Sequence, residues 1–282
     1  MSRKSSQDSL FANPWSGRGA GSDRDGVSSF KELQKGTIVP HTQVSGECRL
    51  MAGQNVTITG KDGSFGGYLA APASGRGPGI VVIQEIFGVN QVMRDIADGL
   101  CSRGFFALVP DLFWRIQPGV ELTDRTEAEW SQAFGLLQKF DIGKGVEDIQ
   151  ASINFLRAVK GATGKVGTLG YCLGGQLAYL TATRTDSDAS VGYYGIRIQD
   201  QLNEAKNITH PLVLHIAEAD EYTPAAAQKK ITEALKPNPK VTIYTYPQMD
   251  HAFARVGGKH YDKANADLAN ARSQTFFRQH LS

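Results

Sequence analysis

The sequence predicts an α/β fold, with a mostly parallel central sheet and helices on both faces. Three observations carry that prediction. From Pro78 onward, apolar runs of strand composition alternate with stretches of helical period. Several runs are almost continuously apolar, as in Gly79-Ile80-Val81-Val82-Ile83, which suits strands covered on both faces. The stretches between them are about 10–15 residues long, the length of the helical crossovers that join parallel strands.

Along the chain, residues 1–35 are rich in Ser, Gly, Asp and Arg without a period. This start is expected to stay flexible or to pack loosely, giving an N-terminal extension over 1–40 and one domain over 41–282. A single unit of roughly 200–250 residues is ordinary for α/β folds. Two short runs, 55–58 and 67–70, flank the turn Gly60-Lys61-Asp62-Gly63 and predict a β-hairpin. Strands are then expected over 80–84, 105–109, 165–169, 190–194, 211–217 and 241–246. Helices are expected over 91–103, 126–140, 146–159, 174–183, 225–235 and 262–280.

Lys and Arg total 30 against 28 Asp and Glu, a net charge of +2. That balance makes no electrostatic case for nucleic acid or an anionic membrane, so a small molecule is the expected partner. Cys48, Cys101 and Cys172 are odd in number, far apart and without a C-x-x-C pair. Neither a disulfide framework nor a zinc site is written there, which fits a reducing compartment. No run reaches the ~18 apolar residues of a spanning helix. The N-terminus lacks a signal h-region, and Asp8, Asp23 and Asp25 speak against an organelle transit peptide. A soluble cytoplasmic protein is expected, without metal or organic cofactor, acting as a monomer with a dimer as the alternative.

The chemistry enters at Gly170-Tyr171-Cys172-Leu173-Gly174, directly after the apolar run 166–169. Its spelling, G-x-C-x-G, puts a cysteine where G-x-S-x-G marks a strand-to-helix elbow that thrusts a nucleophile outward. The structural alternative is a buried cysteine acting as a small hydrophobe. An acid and then a histidine further along favour the nucleophile, since elbow hydrolases carry nucleophile, Asp or Glu, and His in that order. Asp220 follows the strand at 211–217, where open α/β sheets build sites; its alternative role is to cap the helix near Ala225. His251 follows the strand at 241–246. Of the other histidines, His41 is near the flexible start, His210 precedes a proline, His215 lies in a strand, and His260 and His280 are in polar surroundings. The backbone amides of Leu173 and Ile86 are the candidate oxyanion donors. Glu85, beside Ile86 and Phe87, is expected to be partly desolvated and able to exchange a proton with the thiol. The alternative is a Glu in the first turn of the following helix.

Five motifs in order resemble the dienelactone hydrolase family: 84–90 (QEIFGVN), 110–112 (PDL), 170–175 (GYCLGG), 191–195 (VGYYG) and 251–255 (HAFAR). The likeness spans about residues 55–277. It implies an α/β-hydrolase fold and a Cys172, Asp220, His251 triad acting on ester or lactone bonds. It further implies that Glu85 pairs with the resting thiol and helps convert it to thiolate, and that Arg255 binds a substrate carboxylate. Tyr193 with a neighbouring tyrosine, and Phe113 with Trp114, would line the pocket. One position departs from the family: its second carboxylate-binding arginine falls on Trp130, with Arg115 and Arg125 nearby as candidate replacements. Trp130 favours a flatter, more apolar acyl or alcohol portion. The competing functions are a broad carboxylesterase or thioesterase, a non-catalytic ligand binder, and a redox-sensing cysteine protein, the last without a resolving cysteine near in sequence.

Overall fold

A computed structural model describes residues 53–282. The expected extension over 1–40, the domain's first residues and Cys48 lie outside them. The described chain begins with the expected hairpin, β1 (Gln54–Thr59) and β2 (Ser64–Ala70), closed by a Gly60 N–H to Gly63 O hydrogen bond of 2.8 Å. Six further strands follow: β3 (Gly77–Ile83), β4 (Phe106–Pro110), β5 (Ala162–Tyr171), β6 (Ala189–Tyr193), β7 (Leu212–Ala217) and β8 (Val241–Tyr246). All eight form one sheet in the order β1-β2-β4-β3-β5-β6-β7-β8. The hairpin belongs to that sheet because β2 pairs antiparallel with β4; every pairing from β4 to β8 is parallel.

Helices cover both faces, as packing at two glycines makes plain. Gly79 of β3 lies beside Val166 of β5, and a side chain there would meet Leu156 of α3 (Ile142–Ala158). Gly167, one residue on and so on the opposite face, would meet Phe277 and Leu281 of α6 (Lys263–Leu281). The strands between them are correspondingly apolar, and Ile80, Val81, Val82 and Ile83 are fully buried.

The other helices are α1 (Gln91–Cys101), α2 (Glu127–Lys139), α4 (Leu173–Arg184) and α5 (Ala225–Leu235). Most match expectation to within a residue or two. The exception is α3, which begins a turn early because Asp141 caps it by accepting from Lys144 N. Gly143 and Gly145 hid that turn, and Gly145 is there because a Cβ would stand 2.4 Å from the Phe140 ring. A polar 3-10 segment, Ile198–Asn207, broken by a kink at Gln201, was not foreseen. No helix among the described residues is long and apolar enough to cross a membrane.

This topology positions the site. The chain leaves β3 for β4 on one side and returns to β5 on the other, so the order reverses at β3. A crevice opens where the C-terminal ends of β3 and β5 lie side by side, with Ile83 paired to Gly170.

Candidate active site

One residue separates β5 from α4, and it is Cys172. Its backbone is bent to φ 56° and ψ −114°, a left-handed conformation that costs a non-glycine residue roughly 1–3 kcal/mol. The flanking glycines make the bend feasible. A Cβ on Gly170 would lie 1.9 Å from Gly174 O, and one on Gly174 would lie 2.3 Å from Ile83 O. The elbow is thus pressed against the end of β3, which brings the Leu173 amide close to the loop holding Ile86. As first residue of α4, Leu173 has an N–H that helix geometry leaves without an intrahelical acceptor.

Asp220 and His251 meet at the same edge from the loops after β7 and β8. His251 Nδ1 and Asp220 Oδ2 are 2.8 Å apart, and Asp220 Oδ1 accepts from Tyr222 N at 2.8 Å. Both carboxylate oxygens are committed, and α5 starts after Pro224 with no side-chain cap, so Asp220 is not a helix cap. His251 lines the same cavity as Cys172. Burial disfavours its cation, yet the Cys172 sulfur and the Asp220 carboxylate outweigh burial and raise its pKa to about 10. The edges of Tyr194 and Tyr222 hold the imidazole, with ring centroids at 5.0 and 4.8 Å.

The remaining described histidines have other tasks. His260 pairs with Asp250 at 3.0 Å, His210 contacts its neighbour Thr209, and His280 lies edge-on to Phe276 with ring centroids 4.8 Å apart. His215 is buried between Tyr246 OH and Ser273 Oγ at 2.7 and 2.9 Å; desolvation, aided by Arg272, pushes its pKa down to about 3.

Glu85 departs from expectation. It precedes α1 by a full loop, so it is not a first-turn helix residue. Nor is the thiol its partner: both oxygens accept from Arg255, Oε2 from Nε at 2.7 Å and Oε1 from Nη2 at 3.0 Å. A buried guanidinium offers a carboxylate two parallel donors, which a weakly donating thiol does not match. Arg255 in turn gives Nη1 to Asp124 Oδ2 at 2.8 Å and stacks on Phe87 with its guanidinium carbon 4.9 Å from the ring centroid. The arginine expected to bind a substrate carboxylate already holds two carboxylates of its own chain.

Cys172, His251, Arg255, Ile86 and Trp130 all line one small cavity of about 20 Å³. Trp130 sits edge-on to Phe87 and beside Phe134. Phe113 does not line the cavity: it is fully buried against Phe140, while Trp114 stacks on Phe65 and donates to Asp148. Tyr193 is likewise beneath the sheet, its hydroxyl engaged with Asn270 and Ser273. As the last residue of β6 it alternates inward, whereas Tyr194, released from the strand at φ 36°, reaches His251. Arg115 pairs with Asp148 and Asp62 and so is no replacement clamp; Arg125 is exposed and not part of the cavity wall.

Asp124, Tyr222, Phe134 and Leu137 were missed. A signal existed for the last two, since Trp130, Phe134 and Leu137 recur at helical spacing on α2. None existed for Asp124, whose partner lies 131 positions away. No group of three His, Cys, Asp or Glu side chains fit to hold a metal occurs among the described residues.

The reversed strand order and the strained residue at the turn after β5 define the chain as an α/β hydrolase. It belongs to the dienelactone hydrolase family, whose sequence profile matches residues 65–281, and it is a hydrolase of the carboxylic ester class. A protein of Azospirillum brasilense provisionally named carboxymethylenebutenolidase is 49% identical over 224 residues, covering 79% of this chain and 96% of that protein. The carboxymethylenebutenolidase of Pseudomonas putida is 39% identical over 227 residues, covering 80% and 96%. A crystal structure from Klebsiella pneumoniae subsp. pneumoniae MGH 78578, provisionally assigned as a dienelactone hydrolase, superimposes with a TM-score of 0.73. It is 24% identical and covers 80% of this chain and 98% of its own, and it bears on the fold alone.

Proposed function

We propose that this chain hydrolyses ester or lactone bonds through Cys172, in the manner for which its carboxymethylenebutenolidase relatives are named. The observation that carries the reading is the 2.8 Å pair of His251 Nδ1 and Asp220 Oδ2, with His251 and the elbow residue Cys172 lining one cavity. Asp220 holds the ring with Nδ1 protonated and steadies the imidazolium. The Cys172 thiolate attacks the carbonyl carbon, and the electron pair moves to the carbonyl oxygen, met by the Leu173 and Ile86 amides. Collapse expels the alcohol oxygen, which takes a proton from His251 and leaves a thioester on Cys172. In a lactone, that alcohol stays tethered to the acyl chain. Water then attacks the thioester as His251 takes its proton, and the carboxylic acid leaves as the thiol is restored.

Glu85 serves in this scheme by fixing Arg255, and no proton step is routed through it. Trp130, Phe87 and Phe134 form an apolar wall suited to a flat acyl or alcohol portion. A reducing compartment such as the cytoplasm suits a catalytic thiol. The test is hydrolysis of small activated esters by wild type, Cys172→Ala and Cys172→Ser, with intact-mass trapping of the acyl-enzyme. Alanine is expected to lower kcat/KM at least about a thousandfold and to abolish the acyl adduct. Turnover retained by Cys172→Ala overturns the assignment.

A further inference from the structure

We infer that Asp124 is a specificity-determining residue: it occupies the anion-binding edge of Arg255 from within the protein, so the site favours a neutral acyl group over one bearing a carboxylate. The inference rests on the hydrolase reading of the same cavity.

Glu85 takes Nε and Nη2 of Arg255, and Asp124 takes Nη1, the nitrogen that Glu85 leaves open. One cation therefore faces two carboxylates in a setting where the Arg255 side chain is only 8% exposed. A substrate carboxylate brought to Arg255 would be the third negative group on a single positive one, and it would have to displace a charge-assisted hydrogen bond already made. Apart from His251, whose imidazolium is already paired with Asp220, the cavity walls offer no second cation.

Asp124 is held in this position by its own loop. Thr126 caps α2 by accepting from Glu129 N, and Glu129 reaches back to Thr126 Oγ1 and to Thr123 N and Oγ1, each at 2.8 Å. Trp130 Nε1 donates to the Asp124 carbonyl at 3.0 Å. The residue that forms the apolar wall beside Cys172 thus also anchors the carboxylate on Arg255. A preorganised group of this kind excludes a competing anion more effectively than a mobile surface side chain does.

The test compares wild type with Asp124→Asn, which keeps the shape and an acceptor for Nη1 but removes the charge, and with Trp130→Phe, which removes the anchor and trims the apolar wall while leaving the Asp124 charge in place. One readout is the kcat/KM ratio for p-nitrophenyl hemisuccinate over p-nitrophenyl butyrate. The other needs no turnover: the rate ratio for alkylation of Cys172 by iodoacetate over iodoacetamide, measured on the Cys172 peptide by mass spectrometry. Both ratios are expected to rise on the order of tenfold or more in Asp124→Asn, the weight of one charge-assisted hydrogen bond, and less in Trp130→Phe. A flat alkylation ratio in Asp124→Asn overturns the inference whatever the esters do, as does a wild type that already prefers hemisuccinate. If neither ester is hydrolysed while the alkylation ratio rises, the hydrolase reading falls and the role of Asp124 stands.

Discussion

Glu85 and Arg255, 170 positions apart, form a bidentate ion pair at 2.7 and 3.0 Å, and Arg255 lines the cavity that holds Cys172. The pair ties the loop after β3 to the loop after β8, two of the segments that frame the site. Its burial makes it a structural commitment as well as a feature of the pocket.

Arg255→Met is therefore expected to destabilise the fold by about 3–5 kcal/mol, because it leaves two carboxylates without their cation. Removing both charges of the inner pair, in Arg255→Met with Glu85→Gln, recovers part of that loss. Urea unfolding of the two variants checks this, and a loss below about 1 kcal/mol in the single variant would show the pair to be dispensable.

His251 has a folded pKa raised above the ordinary 6.5. A raised pKa means that the folded state holds the proton more tightly than the unfolded chain. The stabilisation is fully present below about pH 6.5 and is lost as pH rises through the folded value near 10. Unfolding free energy is thus expected to fall more steeply over that alkaline window in wild type than in His251→Gln. Equal slopes would contradict the buried imidazolium.

His215 behaves in the opposite sense. Its folded pKa is pushed down to about 3, so below pH 6.5 the unfolded chain takes up a proton that the folded one refuses. Stability drains as pH drops from 6.5 toward 3, and His215→Gln should flatten that acid limb while leaving the alkaline limb alone. Acid unfolding followed by circular dichroism separates the two histidines.

Strain at the elbow gives an inverted stability ranking of two variants at Cys172. At φ 56° a Cβ is unfavourable, so Cys172→Gly should be more stable than Cys172→Ala by about 1 kcal/mol, the reverse of the usual order. Thermal melts of the two proteins decide it; alanine melting higher would mean that the elbow is relaxed.

Which parts of the site could be recognised early follows from how far each signal reaches along the chain. Cys172 lies in a five-residue pattern whose glycines are demanded by contacts with the adjacent helix turn and strand end, and Asp220 and His251 each follow an apolar strand run. Those features are local, and the order of the three supplies their assembly. Phe113 and Tyr193 were assigned to the pocket from proximity to motifs, but alternation along strand and loop turned them into the core. Tyr194, next to Tyr193, and Tyr222, in the loop after β7, face the imidazole instead.

The linear pattern of apolar runs, glycines and turn residues was enough to specify the parallel sheet, the elbow and the placing of Cys172, Asp220 and His251 each just after a strand, because hydrophobic period and backbone strain act within a few residues. The pairing of buried charges waited on three-dimensional packing. Whether Glu85 faces a thiol or a guanidinium, and whether Arg255 keeps a donor for substrate or gives it to Asp124, depends on distances between loops more than a hundred positions apart. In a low-dielectric interior those distances, more than residue identity, select the partner.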